Sequence, residues 1–318
     1  MTNDRPARPT ATPAALRERV LERAEARIGG LLADEHGQWA VEDRHAAALV
    51  SDIAAVVRTA GDRVRPALFL TGYLAAGGDP ESGHAVDAAA ALEFLDAGLS
   101  IRTDTREGTA LRRGLPTLHV SHAAEHERSG WRGESRRFGE GTAVLAGDLA
   151  LSYADRLAAG LPEEARRVWD RLRVERVLGT HAAAAAGAAY QDDPWPGPCL
   201  TGGCPRGCAA GWYAVRHPLL LGAALAGGPE LERFYGEFAA WLHAAWRLRG
   251  FLAGGPEFGD EAALLRDVLF DAHSRTGAER RIAELAAAAA HALAGAPLTD
   301  QWRSELIVHI GTLTECAD

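Results

Sequence analysis

The stretch that decides how this chain is interpreted is SIRTDTREGTALRRGLPTLH, residues 100–119. Two acids in it, Asp104 and Glu107, alternate with two arginines, Arg102 and Arg106. Acids three residues apart are neighbours on a helix surface and can share a cation, but each adjacent arginine opposes that cation. The stretch is therefore either a metal site with altered chemistry or a site that has lost its metal. The other motifs of the chain are needed to choose between these two interpretations.

Outward from this stretch, apolar residues recur at helical spacing along the whole chain. Thr12 is suited to cap a first helix, and loops are predicted at residues 103–117 and about 129–138. No segment has the pattern of a strand series. The sequence predicts an all-α protein of ten or more helices, forming a single domain over residues 12–318 after a disordered lead over residues 1–11.

The composition is that of a globular protein, with 47% hydrophobic and 24% charged residues among 318. The formal net charge of −9 argues against non-specific binding to nucleic acid or to anionic membrane surfaces. All 34 basic residues are arginine, so a catalytic lysine or a Schiff base is excluded. No signal peptide and no apolar run of about 20 residues is recognisable, and the chain has only four cysteines. We expect a soluble cytoplasmic protein without a membrane span.

Six short segments, in order along the chain, share a pattern with one known family. They are residues 63–68 (RVRPAL), 91–95 (ALEFL), 112–119 (RRGLPTLH), 138–139 (FG), 143–149 (AVLAGDL) and 218–227 (PLLLGAALAG). Together they resemble motifs of the trans-isoprenyl diphosphate synthases, the polyprenyl synthetase family. The resemblance implies an all-α isoprenoid-synthase bundle around a central cavity, and a dimer.

The same resemblance implies a reaction, the condensation of an allylic diphosphate with isopentenyl diphosphate. Members of the family hold three magnesium ions between two DDxxD motifs on facing helices. Ionisation of the allylic C–O bond places charge on the leaving diphosphate, and the metals neutralise it. Magnesium requires hard oxygen ligands, so the carboxylates are indispensable to this chemistry.

At the first motif the chain departs from the family. Counted back from the RRG segment, DDxxD falls on residues 103–107, where Thr103 replaces the first aspartate and Glu107 the third. Asp104 remains, but Arg106 adds a positive charge, and two arginines against two acids leave residues 102–107 with no formal charge. A site that collects several divalent cations cannot lose that much negative charge and keep its affinity.

At the second motif the departure is greater. The position of the two aspartates is taken by Gly250 and Phe251, and the neighbouring Arg247 and Arg249 make the segment positive. Both metal motifs are thus predicted to be degenerate.

Four basic residues of the family pattern remain, Arg63, Arg65, Arg112 and Arg113. They could hold a diphosphate or form salt bridges, since the arginine fork suits both carboxylates and phosphates. Around them, two positions have become acidic where a diphosphate would bind. Asp62 replaces the family's lysine, and Asp96 replaces the histidine that precedes the first motif.

Three cysteines, Cys199, Cys204 and Cys208, lie in a Pro/Gly-rich insertion. Their spacing is not a usual zinc or iron–sulfur pattern, although His217 could supply a fourth ligand. We predict free thiols rather than a metal site. The Cys204–Cys208 pair also resembles the CxxxC element of small, inactive subunits in plant heteromeric geranylgeranyl diphosphate synthases, where it serves association with the active partner.

A second candidate metal face consists of His119, His122 and His126, which fall on one side of a predicted helix. Because the stretch resembles the ordinary sequence between RRG and FG in actinobacterial family members, we predict structural roles for these histidines.

Three functions remain open. The leading hypothesis is a non-catalytic or regulatory subunit that pairs, as a homo- or heterodimer, with an intact isoprenyl diphosphate synthase. The second is a divergent prenyltransferase or terpene-synthase-like enzyme that works without the three-magnesium cluster, or with Asp104, Glu107 and a single Mg²⁺. The third is a protein that binds a prenyl diphosphate or lipid without turnover. A cofactor is expected only under the second hypothesis.

Overall fold

The computed structural model describes residues 11–59, 61, 63–189, 212–253 and 272–314. Eleven α-helices lie in this part of the chain, which confirms the predicted all-α class. They are α1 (Pro13–Glu42), α2 (Arg44–Arg58), α3 (Val64–Ala75), α4 (Gly83–Glu107), α5 (Leu118–Arg128), α6 (Ser135–Ala158), α7 (Glu163–Ala189), α8 (His217–Ala226), α9 (Glu232–Ala253), α10 (Ala272–Ala292) and α11 (Asp300–Thr314). A π-helical turn, Trp212–Arg216, leads into α8, and a 3-10 turn, Pro229–Leu231, precedes α9.

The described residues divide into two compact units. The N-terminal unit is drawn from Val20–Pro66 and Glu81–Pro162, and the C-terminal unit from Met1–Arg19, Ala67–Pro80 and Glu163–Asp318. The single domain over residues 12–318 stays a prediction. Among the described residues, no helix is long and apolar enough to cross a bilayer.

Side chains at the helix starts explain where several helices begin. The Thr12 hydroxyl accepts a hydrogen bond from the Ala15 amide (3.3 Å), as the sequence predicts for α1. Asp43, the single residue between α1 and α2, accepts from the amides of His45 and Ala46 at 2.6 and 3.2 Å. On the C-terminal helix the apolar residues Leu306, Ile310 and Leu313 recur at helical spacing, and all three are buried on α11.

The predicted loop at residues 103–117 is wrong in its first part and incomplete in its second. Residues 103–107 are the last turn of α4, which ends where Gly108 adopts a left-handed conformation (φ 66°). After it, strands β1 (Leu111–Arg112) and β2 (Leu115–Pro116) form a short antiparallel hairpin. Its two central residues have positive φ, 51° and 76°, which is the geometry of a tight two-residue turn. The second predicted loop is shorter than expected, because α6 begins at Ser135.

In the N-terminal unit, α4 forms the centre of the core. It packs on α6, which packs in turn on α5. The two glycines Gly98 and Gly147 allow a close approach of α4 and α6, since a Cβ added at Gly98 would lie 2.9 Å from the Gly147 carbonyl oxygen. This contact fixes α4 about one helical turn before the first motif.

In the C-terminal unit, α9 packs on α10 and α7 packs on α8. Helix α8, which carries the PLLLGAALAG segment, lies against α3, because a Cβ at Gly222 would meet the Phe69 carbonyl oxygen at 2.5 Å. The buried Tyr235 of α9 donates a hydrogen bond from its hydroxyl to the Gly72 carbonyl (3.0 Å).

Candidate functional site

The surviving aspartate of the first motif is held by an arginine. The Asp104 side chain is only 8% exposed at the end of α4, and Arg112 of the hairpin reaches it with two guanidinium nitrogens, Nε and Nη2. Arg112 Nε lies 2.8 Å from Oδ2 and 3.0 Å from Oδ1 of Asp104, and Nη2 donates to Oδ1 as well. These hydrogen bonds raise the pKa of Arg112 above its usual range. Both carboxylate oxygens are therefore engaged by a cation of the protein itself.

The second acid of the motif, Glu107, lies on the surface beside its own counter-charge. Arg106 Nη2 donates to Glu107 Oε1 at 2.7 Å, and both side chains are about half exposed. On the adjoining turn, Arg102 lies 3.6 Å from a carboxylate oxygen of Asp148 on α6. The negative charge of the motif is thus spread over separate ion pairs rather than gathered into one cluster.

The two arginines at the start of α3 also face acids. Arg65 Nη1 lies 2.8 Å from Asp96 Oδ1, and Arg63 forms an ion pair with Glu25 of α1. Arg63 Nε also lies 4.0 Å from Glu93 Oε2. Asp96, which the sequence analysis identified as an acid in place of a family histidine, therefore pairs with one of the retained arginines. The sequence left two roles open for these arginines, diphosphate binding and salt bridges, and the structure contains the salt bridges.

Glu93 is the most perturbed acid of this region. It is 5% exposed in the middle of α4, and burial together with the charge of Asp96 raises its pKa to about 7, against the opposing effect of Arg63 and Arg65. In the described chain Glu93 Oε2 has no hydrogen-bond partner. Close to neutral pH this carboxyl group is therefore divided between its neutral and charged forms.

Arg113, the fourth retained basic residue, makes no ion pair within the described part of the chain. Its guanidinium donates to the Thr59 carbonyl after α2 and lies against Gly61. Asp62, which replaces the family's lysine, lies outside the described residues. Arg113 is thus used to fix the hairpin to the end of α2.

The second motif has no acid at the matching positions. Phe251 is 5% exposed near the end of α9, and Gly250 beside it is partly buried. Arg249 donates from Nε to the Thr314 carbonyl at 2.7 Å. The neighbouring residues Leu248 and Leu252 belong to an apolar cluster with α10. This part of α9 is therefore a core segment.

Magnesium does not fit the residues at either motif. The first offers one carboxylate already bound by Arg112 and one paired with Arg106, and the second offers none. Mg²⁺ needs oxygen ligands and charge compensation, which these residues do not provide together. No group of three or more His, Cys, Asp or Glu residues that could hold a metal occurs in the ranges that the structure describes.

The three histidines of α5 have separate partners. His122 Nε2 lies 2.9 Å from Asp52 Oδ2, His119 Nδ1 lies 3.1 Å from the Thr117 hydroxyl, and His126 Nε2 lies 3.1 Å from the Arg132 carbonyl. They do not converge on a common point. Cys199, Cys204 and Cys208 lie outside the described residues, and their predicted state as free thiols stays a prediction.

Sequence reasoning missed two acids of this site. Glu25 pairs with Arg63 across 38 positions, and nothing in the local sequence around either residue indicates it. Glu93 could have been found, because it is an isolated acid inside the apolar run AAAALEFL. A charge in such a run must be buried, paired or neutralised.

Comparison with known proteins agrees with this fold, although no family model matches the chain. A farnesyl diphosphate synthase of Geobacillus stearothermophilus is 31% identical over 216 residues, which are 64% of this chain and 65% of the relative. A short chain isoprenyl diphosphate synthase of Methanothermobacter thermautotrophicus is 31% identical over 123 residues, 39% of this chain and 32% of the relative. The matches thus span less than two thirds of the length of these curated relatives.

Among solved structures, a geranylgeranyl pyrophosphate synthase from Corynebacterium glutamicum, complexed with isoprenyl diphosphate and magnesium, superimposes with a TM-score of 0.76. It is 24% identical, and the superposition covers 95% of this chain and 98% of that one. The chain therefore has the polyprenyl synthetase fold, and its homologues are trans-isoprenyl diphosphate synthases. The resemblance found in the sequence is confirmed.

Proposed function

We propose that the protein is a non-catalytic member of this group that associates with an intact isoprenyl diphosphate synthase and regulates its activity or product. The observation that carries the proposal is the engagement of both Asp104 oxygens by Arg112. Catalysis in the family needs carboxylates free to bind magnesium, and the only buried acid of the first motif is already neutralised.

The retained arginines support the same conclusion. Arg63 and Arg65 pair with Glu25 and Asp96, so a diphosphate would have to displace a carboxylate from each of them. Displacement would leave acids without counter-charges beside an anionic ligand, which is unfavourable. Because function depends on the site and not on the fold, a kept scaffold whose ligand groups are internally paired is compatible with a binding or regulatory subunit.

An exposed apolar surface on α6 is available for association. Val144 is 42% exposed and Leu145 is 62% exposed, and Phe138 on the first turn of the same helix is 38% exposed. Contiguous exposed apolar surface marks protein–protein contact sites, and these residues supply part of such a surface on one helix. We call Val144 and Leu145 the α6 patch and assign the partner to it.

The test is a turnover assay with isopentenyl and allylic diphosphates and Mg²⁺. The pure protein is measured alone, then mixed with an isoprenyl diphosphate synthase that has both DDxxD motifs and is encoded by the same genome. We expect no product above background from the protein alone. With the partner, we expect a stable complex by size-exclusion chromatography and a changed rate or product chain length.

Two variants test whether the association with the partner depends on the α6 patch. Leu145→Glu places a charge in the α6 patch and should abolish both the complex and the effect on the partner. Val41→Glu makes the same kind of change at an aliphatic residue that is 89% exposed on α1, and should change neither. Turnover by the protein alone would contradict the non-catalytic assignment and favour the divergent enzyme. A partner that neither binds nor changes its products would refute the regulatory role.

A further inference from the structure

The connection between α5 and α6 presents a tryptophan to solvent. Trp131 is 40% exposed, although a tryptophan side chain is highly buried on average. The glycines that flank it, Gly130 and Gly133, have φ angles of 59° and 103°, in the left-handed region that other residues rarely adopt. The backbone of this connection therefore turns sharply on both sides of the tryptophan.

Contacts from two helices hold Trp131 in place. Its amide donates a hydrogen bond to the His126 carbonyl at the end of α5 (3.2 Å), and His126 Nε2 lies 3.1 Å from the Arg132 carbonyl oxygen. The Trp131 ring meets the rings of His45 on α2 and of the buried His126 edge-to-face, with centroids 5.9 and 6.0 Å apart. A large side chain that is already held loses little further freedom on binding, which suits an interface anchor.

Phe138 continues this apolar surface towards the α6 patch. Its ring centroid lies 5.2 Å from that of Trp131 at an interplanar angle of 73°, and the residue is 38% exposed. Leu145 of the α6 patch lies seven residues further, on the same side of the helix, because seven residues are almost two full turns. Between them Gly141 is exposed and has no side chain that could interrupt the surface. The apolar surface therefore extends from Leu145 to Trp131.

Two arginines beside the aromatic rings have no ion-pair partner among the described residues. Residues 125–140 contain four acids and four arginines. The acids and their donors are Glu125 with Arg128, Glu140 with Arg136, Glu127 with the Ser135 hydroxyl, and Glu134 with the amides of Arg136 and Arg137. The guanidinium groups of Arg132 and Arg137 take no part in these pairs, and both residues are exposed. Each is the sequence neighbour of one of the two exposed rings.

We infer that Trp131, Arg132, Arg137 and Phe138, which we call the α5–α6 surface, bind an acidic segment of the partner synthase. An apolar side chain of that segment would pack on the two rings, and its carboxylates would accept hydrogen bonds from the two arginines. The inference rests on the proposed function, because it names the chemistry by which the same partner is recognised next to the α6 patch.

Other occupants are less complementary to this surface. A second copy of the chain, related by a two-fold axis, would bring the same two arginines to the contact, so that like charges would meet. Nucleic acid and anionic membranes are disfavoured by the net charge of −9 and by the balanced charge of residues 125–140. An acidic peptide segment can place single carboxylates on the two arginines while it covers the rings.

The test is calorimetric titration of the full chain with the synthase of the turnover assay, at about 50 and about 300 mM NaCl, below and above physiological ionic strength. Trp131→Ala should weaken the complex at least about tenfold, because it removes the anchor. Trp131→Phe keeps an aromatic ring and should retain most of the affinity. The double variant Arg132→Gln with Arg137→Gln should bind about tenfold more weakly at the lower salt concentration and show less salt dependence than the wild type.

A second pair of arginines gives the matched control. Arg275 and Arg280 are exposed on α10 and have no ion-pair partner in the described ranges. The double variant Arg275→Gln with Arg280→Gln changes the net charge by the same amount and should leave the affinity and its salt dependence unchanged. Thermal unfolding followed by circular dichroism confirms that each variant is folded.

The outcomes separate this inference from the proposed function. No complex with the wild-type chain would refute both. A complex that Leu145→Glu disrupts, but that the Arg132/Arg137 variant and Trp131→Ala leave at wild-type affinity, would overturn this inference alone. Equal weakening by the Arg275/Arg280 variant would replace a contact at this surface with a general effect of charge. Binding to phosphatidylglycerol vesicles that is lost in the Arg132/Arg137 variant would also overturn it, in favour of a membrane surface.

Discussion

The two motif regions have lost their metal ligands in physically different ways. On α4 the acids Asp104 and Glu107 are present, and each is paired with an arginine. On α9 the matching positions are Gly250 and Phe251, and the acids are gone. Charge pairing leaves a region polar, whereas replacement by an apolar residue makes it part of the core.

This difference sets how each region responds to substitution. In the α4 region a variant changes the balance of charges, and its effect should depend on pH and on the counter-charge. In the α9 region a variant changes packing, and its effect should depend on volume and polarity. Experiments at Phe251 and Arg112 compare the two regions directly, and experiments at Glu93 and His309 test buried titratable groups of α4 and α11.

The largest effect is expected from restoring an acid in the α9 region. Phe251→Asp removes a buried aromatic side chain and places a carboxyl group in its site, and should reduce the free energy of unfolding by about 4 kcal/mol or more. Urea denaturation at pH 7 measures it. Phe251→Leu keeps an apolar side chain and should cost about 1.5 kcal/mol or less. If Phe251→Asp were as stable as Phe251→Leu, this segment would not be a core segment.

The next effect concerns Glu93 in the N-terminal unit. Its pKa in the folded state is about 7, above the ordinary value of 4.5, so the folded protein binds more protons than the unfolded chain between these values. The contribution of Glu93 to stability should therefore fall by about 3 kcal/mol as the pH rises from about 4.5 to 7, and stay level above that. Glu93→Gln should remove this contribution. Denaturant titrations of both proteins at pH 5 and pH 8 check it, and an unchanged pH slope in the variant would contradict it.

A buried histidine of the C-terminal unit should show the opposite sign. His309 of α11 is hydrogen-bonded to the Thr71 hydroxyl at 2.9 Å, and burial, with a smaller effect of Arg17, lowers its pKa to about 4. The unfolded chain binds the extra proton between pH 6.5 and 4, so up to about 3 kcal/mol of stability should be lost as the pH falls through this range. Between about pH 4.5 and 6.5 the His309 and Glu93 contributions have opposite signs, so in this range His309→Gln should make stability, measured by urea denaturation, fall more steeply with rising pH than in the wild type. An equal slope in the two proteins would contradict the assignment to His309.

The all-α fold could be predicted from the sequence because the sequence patterns that specify its helices are local. The cap at Thr12 and the apolar spacing on α11 depend on residues within one or two turns of one another. The end of α4 was misplaced for the same reason, since residues 103–107 are polar and their helical state is decided by packing of the preceding turns on α6. The hairpin has strands of two residues, which is too short for a period to appear.

Only part of the candidate site could be predicted from the sequence. The positions of the first motif where the family has aspartates can be identified in the sequence, because they are counted back from the nearby RRG segment. It does not show that Arg65 pairs with Asp96 or Arg63 with Glu25, since such pairs depend on three helices brought together by folding. A count of charges along the chain does not show which arginine lies beside which acid in the folded protein.

The smallest effect separates the two ion pairs of the α4 region from each other. Arg112→Gln leaves Asp104 in a buried position without its counter-charge and should cost about 2 kcal/mol, less than for a fully buried pair because Arg112 is 42% exposed. Arg106→Gln, the matched control, should cost no more than about 0.5 kcal/mol, because both members of its pair are exposed. Adding Asp104→Asn to Arg112→Gln should recover most of the loss, so that a double-mutant cycle gives a coupling of about 1–2 kcal/mol. Equal costs for the two arginine variants would mean that burial does not strengthen the Asp104 pair, and the neutralisation on which the proposed function depends would then lack its physical basis.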